Sequence, residues 1–242
     1  MKVFIEKDYN AMSKKAFEII KNVISKKPYA ILGFATGSTP IGVYREMVKD
    51  HKENETSYKC VKSLNLDEYV SLGKGDEQSY VTFMEENLFN HIDINWENTY
   101  LPNGKAEDLF VECNRYNDLL AKMPRDLQLL GIGSNGHIGF NEPGTSKDSV
   151  THVVDLTENT IKDNSRFFSS IDDVPKKAIS MGVKNILDAK KILVVASGAN
   201  KADAVFKSIN GIACTDVPAS LLQYHNDVVW VIDEAAASKL IR

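Results

Sequence analysis

The sequence is poor in cysteine and has no long apolar run. Its three cysteines, Cys60, Cys113 and Cys214, are odd in number and far apart. They form no Cys-x-x-Cys or Cys/His ligand spacing, which argues against a disulfide framework and a structural zinc site and fits a reducing, cytoplasmic location. No window reaches the roughly 18 to 20 apolar residues of a membrane span, and no basic segment leads into an apolar stretch near the first residue. We therefore expect neither a membrane protein nor a secreted one.

An excess of positive charge is also missing. The 29 Lys and Arg residues stand against 33 Asp and Glu residues, which gives a formal net charge of −4. Without an overall positive field we expect no nucleic acid partner and no membrane surface, and an anionic ligand would need a local cluster of donors. Repeats, like-charge runs and segments dominated by Pro, Gly or Ser are absent as well. These features predict a single domain over residues 1–242.

Short apolar runs alternate with helical periodicities along the whole chain. The runs that predict buried strands are Val3 to Ile5, Tyr29 to Phe34, Val61 to Leu66, Leu127 to Ile132, Ala178 to Met181, Ile192 to Ala196 and Val228 to Ile232. Between them, apolar residues three and four apart predict amphipathic helices, for example Leu109, Cys113, Tyr116 and Leu120. This alternation predicts an α/β fold with a mostly parallel sheet covered by helices on both faces. Ligands of such folds gather at the carboxyl ends of the strands.

The loop GIGSNGHIGFNEPG, 131–144, contains the Gly-x-Gly-x-x-Gly spacing of a dinucleotide-binding turn. Asp155, about 20 residues beyond the glycines, even occupies the position of a ribose-binding acid. In that fingerprint the last glycine opens a helix, whereas Gly139 and Pro143 interrupt every helix of useful length here. The pattern therefore argues against NAD binding.

The same loop suits the presentation of side chains to a ligand. Its glycines permit tight turns, while His137 and Glu142 supply a titratable pair suited to proton transfer to a sugar oxygen. The alternative is a structural histidine that caps the loop beside a solvated glutamate. A metal site is not favoured, because no third ligand lies nearby in the sequence.

A second polar stretch, GFATGSTPIGVYREM at 33–47, follows another predicted strand. Pro40 suits the first position of a helix, so that the preceding hydroxyls and free backbone N–H groups form a possible phosphate cradle. The candidate residues are Thr36, Gly37, Ser38 and Thr39. An ordinary Ser/Thr helix cap is the alternative. The Gly-Lys-Ser/Thr ending of a nucleotide-binding P-loop is missing.

Charged residues follow three other predicted elements. Asp67 and Glu68 come directly after a buried strand, where one carboxylate should point into the cleft and could remove a carbon-bound proton, although acids at such places also serve as helix-start residues. Arg166 follows a helical stretch, and Lys201 lies at a strand-turn-helix junction. Either cation could help to bind a phosphate, and either could be a solvated surface group.

Taken in order, the segments GFATGSTP, LNLDEYVSL, GIGSNGHIGFNEPG, DNSRFF, SGANKADAV and PASLLQYH identify a resemblance. The sequence resembles the glucosamine-6-phosphate deaminase family over nearly its whole length. The resemblance implies a modified Rossmann-like α/β/α sandwich. It also implies conversion of an amino sugar phosphate, glucosamine 6-phosphate, and water into fructose 6-phosphate and ammonia, without a metal or an organic cofactor.

The resemblance also implies roles for individual residues. Asp67 would be the base that moves a proton from C2 to C1, His137 the group that assists ring opening, and Glu142 its orienting carboxylate. The phosphate-binding set would be Thr36, Gly37, Ser38, Thr39, Arg166 and Lys201. Residues around 156–171 would form part of a mobile lid.

The chain departs from the family pattern at two places. Asn135 stands where many members have an aspartate; its amide could orient the imidazole by hydrogen bonding but could not stabilise an imidazolium by charge. The segment GTSKDSVTHVV lacks the basic, Ser-rich character found in hexameric members that are allosterically activated. We therefore expect a monomer or small homo-oligomer that is not activated by N-acetylglucosamine 6-phosphate.

Three alternative functions remain. A 6-phosphogluconolactonase would share the fold, but its loop resembles GPDGHTASLFPG, whereas FNEP follows the histidine here. A preference for galactosamine 6-phosphate would depend on one or two polar contacts that the sequence does not reveal. A sugar-phosphate sensor without catalysis would need the phosphate site but not Asp67, His137 and Glu142 together.

Overall fold

The computed structural model describes residues 1–165 and 168–240. The strands are β1 Lys2–Glu6, β2 Ile31–Phe34, β3 Lys62–Asn65, β4 Asp67–Tyr69, β5 Thr99–Tyr100, β6 Leu127–Leu130, β7 His152–Asp155, β8 Lys177–Ser180, β9 Ile192–Ala196 and β10 Val228–Asp233. The helices are α1 Tyr9–Lys26, α2 Ile41–Asn54, α3 Tyr80–Asn87, α4 Leu109–Lys122, α5 Glu158–Asn164, α6 Val183–Leu187 and α7 Ala202–Asn210. Among the helices of these ranges, none combines the length and the hydropathy needed to cross a bilayer.

Seven strands form one sheet in the order β1-β10-β9-β6-β2-β3-β5, and all its strand pairs are parallel. Alternate residues of a strand point to opposite faces, and β9 shows the consequence. Leu193 and Val195 pack into one buried cluster with residues of α1 and α2, whereas Ile192 and Val194 pack into a second cluster with residues of α4 and α7. The predicted α/β fold with helices on both sides of a mostly parallel sheet is confirmed.

Helix α1 illustrates how the sequence sets a local element. Asp8 caps its first turn by accepting a hydrogen bond of 2.8 Å from the backbone N–H of Ala11. Met12, Ala16 and Ile20 recur every fourth residue and are fully buried against the sheet. This spacing of four residues puts the three side chains on one face of the helix.

A smaller antiparallel sheet, in the order β4-β8-β7, lies beside the carboxyl ends of the main strands. The strand predicted at Ala178 to Met181 exists as β8, but it pairs in this smaller sheet rather than in the parallel one. Leu66 connects the two sheets: its N–H bonds the carbonyl of Phe34 in β2, and its carbonyl accepts from the N–H of Met181. This junction sends the chain from β3 into β4, so that Asp67 begins the second sheet.

The strand order places a crevice between β2 and β6. From β2 the chain builds outward to β3 and β5, and it then returns to the other side of β2 as β6 before continuing to β9 and β10. The loops after β2 and β6 therefore leave the sheet in diverging directions, which is the switch point at which ligands bind in open α/β sheets. These two loops are residues 35–40 and 131–141.

Candidate active site

The turn after β2 is held in place from α1. Gly37 has a φ of 96°, which L-residues with a side chain rarely adopt. The hydroxyl of Tyr9 accepts a hydrogen bond of 2.7 Å from the N–H of Gly42 and lies 3.0 Å from the carbonyl oxygen of Thr39. The turn that carries Thr36, Gly37, Ser38 and Thr39 is thereby fixed at the start of α2, with its donors at the crevice.

Asp67 and Glu68 point to different places. Glu68 accepts backbone N–H groups of Tyr69, Tyr80 and Val81 at 2.8 to 3.1 Å, so it caps the start of α3. Asp67 lines the crevice and is 5% exposed. Burial raises the pKa of Asp67 to about 8, and the nearby Glu68 carboxylate adds to the rise. Of the two acids, Asp67 is therefore the one placed to exchange a proton with a ligand.

The loop after β6 has no helix; residues 131–151 are turns and extended backbone. The N–H of Gly133 bonds the carbonyl of His137 at 2.9 Å, which folds the loop back on itself. A Cβ on Gly133 would lie 2.4 Å from the imidazole Nδ1, so only glycine leaves room for the ring. Asp155 lies at the end of β7 with an exposed side chain. The dinucleotide interpretation thus lacks the helix that it requires.

Glu142 sits at the centre of a polar cluster. Its Oε1 lies 3.5 Å from His137 Nδ1 and accepts a hydrogen bond of 2.5 Å from the hydroxyl of Thr160, while its Oε2 accepts one of 2.7 Å from Asn135 Nδ2. Burial alone would raise the pKa of Glu142, but the hydrogen bonds and the charge interaction from these neighbours outweigh it and lower the pKa to about 2. Glu142 is therefore an anion at neutral pH, beside the imidazole.

Asn135 corrects one expectation. Its amide does not reach the imidazole: Nδ2 donates to Glu142, and Oδ1 accepts from the backbone N–H of His137 at 3.1 Å. The amide therefore orients the carboxylate, and the carboxylate faces the ring. An ionised carboxylate at position 135 could accept from the backbone but could not donate to Glu142.

Lys201 reaches the crevice from the turn after β9. Asp233, at the end of β10, accepts hydrogen bonds from the Ser197 hydroxyl at 2.5 Å and from the N–H of Gly198 at 3.1 Å, and Gly198 has a φ of 95°. This carboxylate shapes the turn that leads to Lys201. Arg166, the other predicted cation, lies outside the described residues. The proposed lid, 156–171, includes it and stays a prediction.

One cavity is lined by most of the predicted residues, namely the turn 36–39, Asp67, His137 and Lys201. It is bordered by Ala35, Thr36, Gly37, Ser38, Thr39, Pro40, Leu66, Asp67, Tyr80, Gly131, Ile132, Gly133, His137, Gly139, Phe140, Thr160 and Lys201. The polar turn at residues 36–39 and Lys201 supply hydrogen-bond donors for an anion. Asp67 and His137 supply groups that can take or give a proton. Glu142 and Asn135 act from behind His137. Such a cavity can hold a phosphorylated molecule and move protons on it.

Sequence reasoning missed two residues of this cavity. Thr160 is one of many hydroxyls in a helical pattern, and nothing in the sequence joins it to Glu142. Tyr80 belongs to an aromatic cluster in which its ring stacks on Phe140 at 6.2 Å between ring centroids, and Tyr69 packs beside both. Tyr80 and Phe140 line the cavity, and the tyrosine of the DEY segment, Tyr69, packs against both from behind. Within residues 1–165 and 168–240, no three His, Cys, Asp or Glu side chains are grouped as a metal would require.

Comparisons with known proteins agree on one family. Residues 6–230 match the family described as glucosamine-6-phosphate isomerases/6-phosphogluconolactonase. A glucosamine-6-phosphate deaminase of Clostridioides difficile (strain 630) is 54% identical and covers 99% of this chain and 97% of its own. The solved structure of a monomeric glucosamine-6-phosphate deaminase is 48% identical, with a TM-score of 0.97 and coverage of 99% and 100% of the two chains. A 6-phosphogluconolactonase of Trypanosoma brucei, 19% identical with a TM-score of 0.79 and coverage of 99% and 98%, shares the fold.

Proposed function

The chain belongs to the glucosamine-6-phosphate isomerase/6-phosphogluconolactonase family, and we propose that it is a deaminase that converts glucosamine 6-phosphate and water into fructose 6-phosphate and ammonia. Its relatives at about half identity over full length carry the name of that reaction. The observation that carries the proposal is the cavity in which Asp67, His137 and an anion anchor face one space. A lactonase would need neither a base for a carbon-bound proton nor a group that opens a pyranose ring.

The phosphate would bind at the turn after β2. Backbone N–H groups and hydroxyls of residues 36–39 lie at the start of α2, where the helix dipole favours an anion, and Lys201 adds a positive charge from the facing turn. Arg166 is proposed as a further cation on sequence grounds alone. With the phosphate held there, the sugar ring would extend toward the carboxyl ends of β3 and β6.

His137 would exchange a proton with the ring oxygen and so open the pyranose. Glu142 is anionic and lies 3.5 Å from His137 Nδ1, so it would stabilise the imidazole when both of its nitrogens carry a proton. Asn135 and Thr160 hold the two oxygens of that carboxylate. Glu142 would thus supply the negative charge beside the imidazole, which the amide of Asn135 cannot supply.

Asp67 would then take the proton from C2 of the open chain and return it to C1, so that the C1 aldehyde becomes an alcohol and the amine is left as an iminium at C2. Water adds to this C2=N bond, and the resulting carbinolamine releases ammonia as the C2 carbonyl of fructose 6-phosphate forms. The raised pKa makes the Asp67 carboxylate a stronger base than an ordinary aspartate, which suits removal of a weakly acidic carbon-bound proton. The reaction scheme uses side chains alone and requires no cofactor.

The experiment is to incubate the purified protein with glucosamine 6-phosphate and measure ammonia and fructose 6-phosphate, with galactosamine 6-phosphate and 6-phosphogluconolactone in parallel. We expect equal amounts of the two products from the glucosamine substrate and no lactone hydrolysis. Saturable binding without ammonia would support a sugar-phosphate sensor instead, and faster turnover of the galactosamine epimer would reassign the substrate.

We infer a cytoplasmic enzyme that acts as a monomer or small homo-oligomer. The solved relative at 48% identity is monomeric. The composition, with scattered cysteines, fits a reducing compartment. We propose hyperbolic kinetics that N-acetylglucosamine 6-phosphate does not alter, and sigmoidal kinetics abolished by that compound would contradict this.

A further inference from the structure

Thr160 connects helix α5 to the carboxylate beside the imidazole. The residue is 5% exposed, and its hydroxyl donates a hydrogen bond of 2.5 Å to Glu142 Oε1 across 18 positions of sequence. Thr157, the cap of α5, accepts from the N–H of Thr160 and places its own hydroxyl 3.0 Å from that of Thr160. The first turn of α5 thus presents one oriented hydroxyl to the site.

The oxygen that Thr160 binds is the one that faces the imidazole. His137 Nδ1 lies 3.5 Å from the same Oε1, and this buried nitrogen has no hydrogen-bond partner among the described residues. Since Asn135 holds Oε2 at 2.7 Å, the two oxygens of Glu142 are fixed from opposite ends. A carboxylate held at both oxygens cannot rotate about its terminal bond, so its lone pairs keep one direction relative to the ring.

We propose that Thr160 is a positioning residue for the reaction, which fixes Glu142 Oε1 toward His137 Nδ1 and so keeps the imidazole in the orientation needed for ring opening. The proposal rests on the function proposed above. Thr160 acts through Glu142, and its importance depends on the hydroxyl rather than on the bulk of its side chain.

Thr160 could instead serve only to pack helix α5 against the rest of the protein. Thr160 is buried, and its methyl group contributes to packing whether or not the hydroxyl matters to chemistry. Two substitutions separate the roles: Thr160→Val keeps the shape and removes the donor, while Thr160→Ser keeps the donor and removes the methyl group. Packing predicts that Ser is the worse replacement, and positioning predicts that Val is.

The decisive measurement is steady-state ammonia release by the whole protein with these variants. We expect Thr160→Val to lower kcat about tenfold, as for loss of one hydrogen bond to a charged group, with KM changed less than about twofold. Thr160→Ser should retain most of the activity. Melting temperatures identify any loss of folding, and Thr160→Ala, which also lacks the hydroxyl, replaces the Val variant if that variant does not fold.

A double-mutant cycle with Glu142→Ala shows whether the effect passes through the carboxylate. Once Glu142 is gone, Thr160→Val should cost no further turnover, because the hydroxyl has lost its partner. Additive losses, an unchanged kcat for the Val variant, or a Ser variant as slow as the Val variant would each overturn the proposal. Absence of ammonia with the wild-type protein would instead refute the deaminase function, so the two failures are distinguishable.

Discussion

Asn135 Nδ2 donates a hydrogen bond of 2.7 Å to Glu142 Oε2, so the amide orients the Glu142 carboxylate rather than the imidazole of His137. The exposed loop residue thereby helps to keep a buried acid ionised: burial by itself would raise the pKa of Glu142, but the contacts with His137, Thr160 and Asn135 lower it. An amide suits this place since it can donate to one acid and accept from the backbone of His137.

Asn135→Asp would replace the donor by a second carboxylate at this distance. Two acids so close cannot both ionise readily, so the pKa of one is raised above its unfolded value. The stability tied to that proton is present at low pH and is lost as the pH rises. We expect the variant to match the wild type in urea unfolding near pH 4 and to be less stable by roughly 1 to 3 kcal/mol near pH 8. A loss that does not vary with pH would contradict the argument.

Asp67→Asn should abolish the proton transfer but preserve binding. The amide keeps the shape of the side chain and cannot accept a proton from carbon, so kcat should fall roughly 100-fold or more while KM stays nearly unchanged. Ammonia release at saturating glucosamine 6-phosphate measures the first quantity. A large rise in KM with preserved kcat would make Asp67 a binding residue instead.

The same substitution should stabilise the fold at high pH. Burial and the neighbouring Glu68 raise the pKa of Asp67 to about 8 in the folded protein. Below the pKa that Asp67 has in the unfolded chain, the residue is neutral in both states and costs no stability. As the pH rises from there toward 8, the folded state is increasingly destabilised. Asparagine stays neutral throughout. The stability of Asp67→Asn relative to the wild type should therefore increase by roughly 1 kcal/mol or more between pH 5 and pH 8. Urea unfolding at both pH values measures it, and a constant difference would show that Asp67 titrates normally.

Gly133→Ala tests the space around the imidazole. The added Cβ would lie 2.4 Å from both Nδ1 and Cε1 of His137, so the ring must move. We expect kcat to fall at least about tenfold, since misplacement by about an ångström is costly in an active site. Gly73→Ala is the matched control, because the atoms nearest to a Cβ there belong to Lys105 and lie at an ordinary 3.5 Å or more. Wild-type turnover in Gly133→Ala would mean that the position of the ring is not critical.

Lys201→Gln tests the anion anchor. Loss of the positive charge should raise KM for glucosamine 6-phosphate at least about tenfold, in line with a charge-assisted hydrogen bond to phosphate. Inorganic phosphate should inhibit the wild type competitively and the variant much more weakly. If the variant binds substrate and phosphate as tightly as the wild type, Lys201 does not contact the phosphate.

Local patterns predicted much of the architecture. Runs such as Ile192 to Ala196 and Val228 to Ile232 formed central strands because residues buried on both faces of a parallel sheet must be apolar throughout. Strands β4 and β5 escaped prediction because three and two residues are too short to show a period. The run at Ala178 to Met181 predicted the strand but not its sheet, since both partner strands precede it, β7 by more than 20 positions and β4 by more than 100.

The amino-acid sequence by itself determined which residues can carry the chemistry and that their loops follow strands, because local hydrophobic patterns show where strands end. It also indicated that these loops meet, because the carboxyl ends of parallel strands share one edge of the sheet. Only the tertiary structure decided that Asp67, rather than Glu68, faces the cavity, that Asn135 bonds Glu142, and that Thr160 reaches the same carboxylate. These outcomes depend on side-chain directions and on contacts between segments distant in sequence, and no local pattern contains them.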